Sequence, residues 1–183
     1  AAGAGLALAG TSPAGQAAPQ ALAPANAPAA AKAAPKPDDL RIALIGTGEQ
    51  GRILMESCLH IPGIRIAAVC DIWSYSQQYA RGYLRKYGQD PAVYEDYRDL
   101  LAKERGLAAA IIATPDWMHA AHANACMEAG LHVYCEKEMS NSLDKARTIV
   151  ETARRTGRLC QIGHQRRSNP RYLHAINRLI REK

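Results

Sequence analysis

Residues 42–51, with the sequence IALIGTGEQG, contain the pattern that decides the fold. Four apolar residues at 42–45 predict a short buried strand, and a helical spacing of apolar residues begins after residue 51. The loop between them consists of Gly46, Thr47, Gly48, Glu49, Gln50 and Gly51. Glycines in a G-x-G-x-x-G arrangement between a strand and a helix are typical of a loop whose backbone N–H groups bind phosphate.

The three glycines and a later carboxylate together predict a dinucleotide site. Gly46 allows a tight turn, Gly48 lets a pyrophosphate approach the backbone, and Gly51 lets the helix pack closely on the strand. A second apolar strand ends in Asp71, twenty residues after Gly51, where a carboxylate accepts hydrogen bonds from ribose hydroxyls. A 2′-phosphate would face this carboxylate, and Ile72 follows it rather than an arginine, so NAD is predicted over NADP. A turn without a nucleotide, next to a solvated aspartate, is the alternative.

Strand and helix patterns alternate along the rest of the chain. Strands are predicted at residues 42–45, 64–70, 92–94, 108–113, 131–135 and 159–162. Helices are predicted between them, and in the one after residue 113 we expect Ala121, Ala125 and Ala129 to face the sheet. Such alternation predicts an α/β fold with a doubly wound parallel sheet, the Rossmann architecture.

Polar residues follow four of the predicted strands and indicate a site at one edge of the sheet. They are Asp71, Thr114 with Pro115, Glu136 with Lys137, and Gly163 with His164. Ligands of doubly wound sheets bind beyond the carboxyl ends of the strands, so these residues are candidates for one site. From the residues alone, a solvated turn lysine and an ordinary polar histidine are equally valid interpretations of Lys137 and His164.

Composition favours one globular domain of ordinary size. The 183 residues are 48% hydrophobic, and no run approaches the ~18 apolar residues of a membrane span, so we expect no membrane association. The net charge of +6 arises after residue 150, where nine Lys and Arg face two acids. This segment carries no recognisable nucleic-acid module, so we expect an anionic cofactor, an acidic substrate or a partner surface instead. Five cysteines lack C-x-x-C or metal-ligand spacing, so we expect reduced thiols and no metal.

The chain divides into three segments by composition. Residues 1–39 are rich in Ala, Gly and Pro and are expected to be a disordered linker or the remnant of a signal. Their weakly hydrophobic opening resembles the middle of a twin-arginine export signal, which favours a periplasmic or exported protein over a cytoplasmic one. Residues 40–165 form the predicted dinucleotide-binding domain, and residues 166–183 begin a connection to a further domain.

Several segments together resemble the glucose–fructose oxidoreductase / inositol dehydrogenase / MocA family from about Arg41 onward. GTGEQG is similar to the family's phosphate loop, and ATPDWMHA is similar to its Ala-Thr-Pro-Asn/Asp-x-x-His turn along the cofactor. CEKEMS stands where the family has Glu-Lys-Pro, with Glu138 in place of the proline. HQRRSNPRY resembles the segment that ends in Asn-Pro and enters the second domain.

The resemblance implies roles for individual residues. Lys137 would act on the hydroxyl or carbonyl oxygen of the substrate beside the nicotinamide, and His164 would lie near the substrate. Glu136 would orient the lysine or contact the cofactor. Beyond the phosphate loop, Asp71 and Ile72, the resemblance assigns these residues to the cofactor side: Thr114, Pro115, Asp116, His119, Lys137, Asn169 and Pro170. Asn169 and Pro170 are also a good N-cap and first residue for a helix with an apolar face at Leu173, Ile176, Leu179 and Ile180.

The resemblance implies an NAD-dependent oxidoreductase that acts on a sugar, cyclitol or glycoside. In the family, a second domain forms most of the substrate pocket and the assembly surface. We therefore expect this chain to be an N-terminal part, and the intact protein to form a homo-oligomer. Two alternatives stay open: an NAD-dependent glycosidase of the same fold, and a dinucleotide-binding module without catalysis.

Overall fold

A computed structural model describes residues 39–181 and confirms the predicted doubly wound parallel sheet. Six strands form the sheet: β1 Leu40–Ile45, β2 Ile64–Cys70, β3 Ala92–Tyr94, β4 Ala109–Ile112, β5 His132–Cys135 and β6 Cys160–Ile162. The helices are α1 Glu49–Leu59, α2 Ser74–Lys86, α3 Tyr97–Lys103, α4 Asp116–Glu128, α5 Leu143–Thr156 and α6 Pro170–Ile176, followed by a π-helical turn at Asn177–Arg181. The predicted linker or signal segment lies, except for its last residue, outside the described residues.

The strand order places the candidate site. All pairings are parallel, and the order across the sheet is β3-β2-β1-β4-β5-β6. The chain therefore moves outward from β1 in one direction and then returns to extend the sheet on its other side. The order reverses between β1 and β4, and ligands of such sheets bind at that switch point beyond the carboxyl ends of the strands.

Alternate residues of the central strands face two separate cores. Ile42 and Leu44 of β1 pack on one face with α1 and α2, where Met55 and Leu84 are fully buried. Ala43 and Ile45 point to the opposite face, which α3, α4 and α5 cover. Successive side chains of a strand point to opposite faces. A strand covered on both sides therefore needs apolar residues at consecutive positions, as at residues 42–45 of β1.

The expectation of which α4 residues face the sheet is wrong. Ala121 and Ala129 are exposed and Ala125 is only half-buried, whereas Ala120, Ala123, Cys126 and Met127 are buried against the sheet. Helical spacing alone fits both sets, since each repeats at three or four residues. Packing of Ala123, Cys126 and Met127 into the core fixes the rotation that the pattern left open.

The last helix begins as predicted. The Asn169 side chain accepts a hydrogen bond from the Arg171 N–H at 2.9 Å, and Pro170 is the first helical residue. Leu173, Ile176, Leu179 and Ile180 are 39–71% exposed, so the apolar face that the sequence predicted has no cover among residues 39–181.

The cysteines are free thiols in or near the core. Cys58, Cys70, Cys126 and Cys135 are buried, Cys160 is half-buried, and none forms a disulfide. Burial raises the pKa of Cys126 and of Cys135 to about 12, so both thiols stay protonated and unreactive at neutral pH. Within residues 39–181 no group of His, Cys, Asp or Glu is arranged to hold a metal ion, and no helix of this region is long and apolar enough to cross a membrane.

Candidate functional site

The phosphate loop follows β1 at the switch point and is fixed by two of its glycines. Gly46 has φ +90°, and a Cβ on it would lie 2.6 Å from the Ala113 carbonyl oxygen. A Cβ on Gly51 would overlap the Gly46 carbonyl oxygen. Gly48 differs, because a Cβ there would meet nothing within 4 Å while the residue lines a cleft. Two glycines thus serve the packing of the protein, and the third leaves backbone open to a ligand.

Asp71 at the end of β2 is held against this loop. One carboxylate oxygen accepts hydrogen bonds from the Thr47 N–H at 2.7 Å and from the Thr47 hydroxyl at 3.0 Å. The other accepts from the Trp73 N–H at 2.9 Å. Thr47 itself is fully buried. A carboxylate has about four lone-pair directions, so Asp71 keeps capacity for a hydroxyl donor from the cleft.

A cleft of about 730 Å³ lies beside these two elements at the carboxyl edge of β1, β2 and β4. Ile72, which borders it, is 86% exposed. Four acidic residues line the cleft, Asp71, Glu95, Asp96 and Asp99, together with one basic residue, Arg98. Arg98 pairs with Asp96 at 3.3 Å, and Lys103 pairs with Asp99 at 2.8 Å. The other lining residues are Ile45, Gly46, Gly48, Cys70, Tyr97, Ala113, Thr114, Pro115, Trp117, Met118 and His122.

These residues fit a dinucleotide. The open backbone at Gly48 is also the N-cap of α1, where free N–H groups and the helix dipole favour a pyrophosphate. The carboxylate of Asp71 fits ribose hydroxyls. The excess of negative charge around it disfavours a 2′-phosphate, which agrees with NAD as the cofactor. The cleft therefore has the shape and charge that the adenosine diphosphate half of NAD requires.

A buried carboxylate connects the phosphate loop to the end of β5. Glu136 is 4% exposed, and its Oε1 accepts hydrogen bonds from Gln50 Nε2 at 3.1 Å and from the Tyr134 hydroxyl at 3.3 Å. Burial, followed by the nearby Glu136 charge, raises the pKa of Tyr134 to about 12, so its hydroxyl remains a donor. Gln50 in turn accepts from Gln165 Nε2 at 3.1 Å. The loop, the β5 end and the β6 end thereby form one hydrogen-bonded unit.

Lys137 follows Glu136 at the surface of this unit. Its backbone N–H donates to Glu136 Oε2 at 3.3 Å, and its side chain is exposed. Among residues 39–181 the ammonium group makes no hydrogen bond or ion pair. The peptide bond between Lys137 and Glu138 is cis. His164 is also exposed, after the end of β6, the strand next to β5.

The structure places the remaining predicted residues outside the cleft lining. Glu49 and Asp116 supply a carboxylate to the first turns of α1 and α4, respectively. His119 is 1% exposed, with both ring nitrogens bonded to backbone carbonyls. Asn169 and Pro170 are exposed at the start of α6. The assignment of all five residues to the cofactor side stays a prediction.

Three residues in or beside the site were not predicted from the sequence. Tyr134 stands two residues before Glu136, so the two-residue period of a strand could have placed both on one face. His122 lies three residues after His119 on α4 and lines the cleft. Its Nδ1 lies 3.0 Å from the Thr114 hydroxyl. Gln165 reaches Gln50 across 115 residues of sequence, and no local pattern predicts such a contact.

Gly163 should not tolerate a side chain, although its backbone is not left-handed. A Cβ there would overlap the Tyr134 hydroxyl and lie 3.1 Å from Glu136 Oε1. We expect Gly163→Ala to lower the free energy of unfolding by about 1–3 kcal/mol through overpacking. Urea denaturation of Gly163→Ala and of the double variant with Tyr134→Phe checks this. The double variant should recover part of the loss, and an unchanged loss would show that Tyr134 is not the obstacle.

His122 should make stability depend on pH in the weakly acidic range. Burial, followed by the charges of His119 and Arg98, lowers the pKa of His122 to about 4. The unfolded histidine binds a proton below about pH 6.5, whereas the folded one does not until about pH 4, so stability falls as the pH falls through this window. The loss has an upper limit of about 3 kcal/mol. Unfolding free energies at pH 7 and pH 4.5 should differ less in His122→Asn than in the wild type, and equal differences would contradict the assignment.

Comparison with known proteins agrees with this geometry. The sequence model of the GFO_IDH_MocA family, described as an oxidoreductase family with an NAD-binding Rossmann fold, matches residues 40–164. A 4-carboxy-2-hydroxymuconate-6-semialdehyde dehydrogenase from Sphingobium sp. is 33% identical over 141 residues, which are 77% of this chain and 43% of that protein. A glycosyl hydrolase family 109 protein from Shewanella baltica is 34% identical over 134 residues, covering 70% of this chain and 29% of that protein.

A solved structure shows the same architecture. The crystal structure of myo-inositol 2-dehydrogenase from Lactobacillus plantarum superposes with a TM-score of 0.67 at 26% identity, covering 75% of this chain and 40% of that one. The chain therefore spans less than half the length of each of these three relatives. The family match covers the whole sheet and the cleft, and the residues at the cleft fit the cofactor that the family binds. The chain belongs to the GFO_IDH_MocA family of oxidoreductases, and its residues 40–164 form the family's NAD-binding Rossmann domain.

Proposed function

We propose that the natural-length protein transfers a hydride between NAD and a hydroxyl-bearing carbon of a sugar, cyclitol or glycoside. The observation that carries the proposal is the position of Lys137. Its exposed ammonium, unpaired among residues 39–181, follows a buried glutamate that is hydrogen-bonded to the phosphate loop. A lysine fixed to the cofactor loop in this way is placed to meet a substrate next to the cofactor.

The residues of this chain have separable tasks in such a reaction. Bound NAD supplies the hydride acceptor or donor. The Gly48 backbone and Asp71 hold the cofactor, and the hydrogen bonds of Glu136 fix the turn that carries Lys137. Lys137 moves the proton at the substrate oxygen: oxidation of a carbinol requires loss of its O–H proton, and reduction of a carbonyl requires a donor there. His164, at the neighbouring strand end, is proposed to contact the substrate.

The comparisons support the class of substrate. One similar structure is a myo-inositol dehydrogenase, which by its name acts on a cyclitol, and the Sphingobium relative is also named a dehydrogenase. The Shewanella relative is named a glycosyl hydrolase. A polyol or a sugar with a secondary hydroxyl is common to the first and the last of these proteins.

The Shewanella relative favours a second candidate, an NAD-dependent glycosidase. Such an enzyme oxidises the sugar, eliminates the glycosidic substituent as an alcohol, adds water to the double bond so formed and returns the hydride, so that no NADH accumulates. The same Lys137 would serve its redox steps. The two candidates differ in whether reducing equivalents leave the active site.

One assay separates the candidates. The natural-length protein is incubated, with and without added NAD⁺, with a panel of inositols, aldoses and nitrophenyl glycosides, while NADH absorbance and nitrophenol release are both recorded. Growth of NADH with a free polyol supports the oxidoreductase. Release of nitrophenol without net NADH and without added NAD⁺ supports the glycosidase. Binding of NADH without either signal would favour the non-catalytic module.

We also propose that the protein is exported and forms a homo-oligomer. Export rests on the composition of residues 1–39, which resembles a twin-arginine signal. Assembly rests on the resemblance to the family, in which the second domain carries the assembly surface. Fractionation of cells and light scattering of the natural-length protein test the two points. Recovery with the cytoplasm, or a monomer at micromolar concentration, would contradict them.

A further inference from the structure

His119 is buried at the point where two turns of the site meet. It lies in the first turns of α4, and its exposed fraction is 1%. Nδ1 lies 2.5 Å from the carbonyl oxygen of Glu138, in the turn that carries Lys137. Nε2 lies 2.7 Å from the carbonyl oxygen of Thr114, in the turn that borders the cleft. One imidazole ring thus joins the ends of β4 and β5.

The partners of the ring decide its protonation state. A backbone carbonyl oxygen only accepts hydrogen bonds, so each ring nitrogen needs a hydrogen to make its contact favourable. A neutral imidazole has one N–H and one lone pair, and at these distances the lone pair would face a carbonyl oxygen directly. The imidazolium form has two N–H donors and satisfies both carbonyls.

Charges around the ring are consistent with a cation there. Glu136, buried at the end of β5, supplies a negative charge in the same turn region, and no cation pairs with it among the described residues. His122, on the same helix, stays neutral at pH 7, since its pKa is about 4, and the His119 charge contributes to that lowering. Of the charged residues nearest in the chain to these contacts, Lys137 and Glu138 are exposed to solvent, and Asp116 lies three residues before His119 on α4.

We propose that His119 is an imidazolium that positions the Lys137 turn by donating from both ring nitrogens to the carbonyls of Thr114 and Glu138. As a positioning residue it rests on the proposed function, because the reaction is what the position of Lys137 serves. Its two hydrogen bonds hold the proton-transferring turn at a fixed distance from the turn that borders the NAD cleft.

The protonation state can be measured without any substrate. Histidine-labelled protein of natural length is examined by nitrogen NMR at pH 7, and His122 in the same spectrum serves as the reference for a neutral ring. Assignment uses His119→Gln and His122→Gln. Both nitrogens of His119 should resonate as protonated nitrogens, whereas one nitrogen of His122 should resonate as unprotonated. An unprotonated nitrogen on His119 would overturn the proposal.

The positioning role is measured by kinetics in two backgrounds. His119→Phe keeps a ring but removes both donors, and we expect kcat to fall about 100-fold with the Kd for NADH changed less than twofold, because misplacement of a catalytic group by about 1 Å has this effect. In a Lys137→Met background the same substitution should have little further effect. His60→Gln is the control. His60 is exposed, and among residues 39–181 only its Nδ1 bonds a carbonyl oxygen, that of Glu56.

The outcomes separate the two proposals. An equal fall in kcat in both backgrounds would show that His119 acts on the fold in general, and would overturn the positioning role. If His119→Phe does not fold, the amide resonances of Lys137 and Glu138 in His119→Gln replace the kinetics. A shift confined to those residues and the Thr114 turn supports the role, and no shift overturns it. Absence of hydride transfer in the wild type would refute the proposed function, while the NMR result would still decide the state and contacts of His119.

Discussion

Replacing Lys137 by methionine is expected to lower kcat for hydride transfer by about 10²- to 10⁴-fold, the usual contribution of a general acid or base. The methionine keeps an aliphatic stem but has no proton to move at the substrate oxygen. The side chain is exposed and makes no hydrogen bond or ion pair among residues 39–181, so the substitution removes no structural contact there. Stability and the Kd for NADH should stay unchanged. Steady-state kinetics with the best substrate of the panel, together with an NADH titration, measure both quantities.

A matched lysine separates the local effect from a general loss of charge. Lys86 is exposed at the end of α2, where the chain has returned to the amino edge of the sheet before β3, and Lys86→Met removes the same charge. It should leave kcat within about twofold of the wild type. If Lys137→Met also retains full activity, Lys137 has no catalytic role and the non-catalytic module becomes the better interpretation.

Gly51→Ala is expected to lower stability, whereas Gly48→Ala is expected to lower the affinity for NADH. The Gly51 Cβ would overlap a backbone carbonyl of the phosphate loop, which cannot rotate away. We expect Gly51→Ala to lower the free energy of unfolding by about 1–3 kcal/mol and to distort the loop. A Cβ at Gly48 meets nothing in the protein, so Gly48→Ala should unfold like the wild type and still lose NADH affinity.

The size of the Gly48 effect follows from the contact that it removes. A methyl group at the cleft surface would separate the loop backbone from the pyrophosphate and cost about one hydrogen bond to a charged group, which is about 1.5–3 kcal/mol. This corresponds to about 10- to 100-fold in Kd. Urea denaturation and fluorescence titration with NADH are measured for both variants. Equal affinity of Gly48→Ala and wild type would show that the pyrophosphate does not bind at this loop.

The fold could be predicted from local patterns because each element has its own signal. The strands β2 and β3 were predicted with their observed bounds. Short strands with apolar residues on both faces differ clearly from helices with one apolar stripe. The phase of α4 could not be obtained in this way, because its small residues fit two helical faces equally well.

The sequence could predict at which edge of the sheet the site lies, but not which side chains contact each other there. The chain order of strands and helices places Asp71, Lys137 and His164 at the carboxyl edge, because all strands are parallel. What each side chain touches depends on pairs of residues far apart in sequence. Glu136 looked like part of a charged turn, yet its carboxylate is buried and bonded to Gln50, 86 residues earlier.

The sequence by itself determined that the chain forms a parallel doubly wound sheet with a phosphate loop and an acidic ribose site, since periodicity, glycine spacing and strand ends are local properties. Tertiary structure alone decided which polar residues face the cleft and which are enclosed. His119 was assigned to the cofactor side from its motif, but packing of α4 on the sheet places its ring between two carbonyl oxygens. A buried polar side chain must bond the groups that the fold brings next to it, and only the assembled sheet fixes which groups those are.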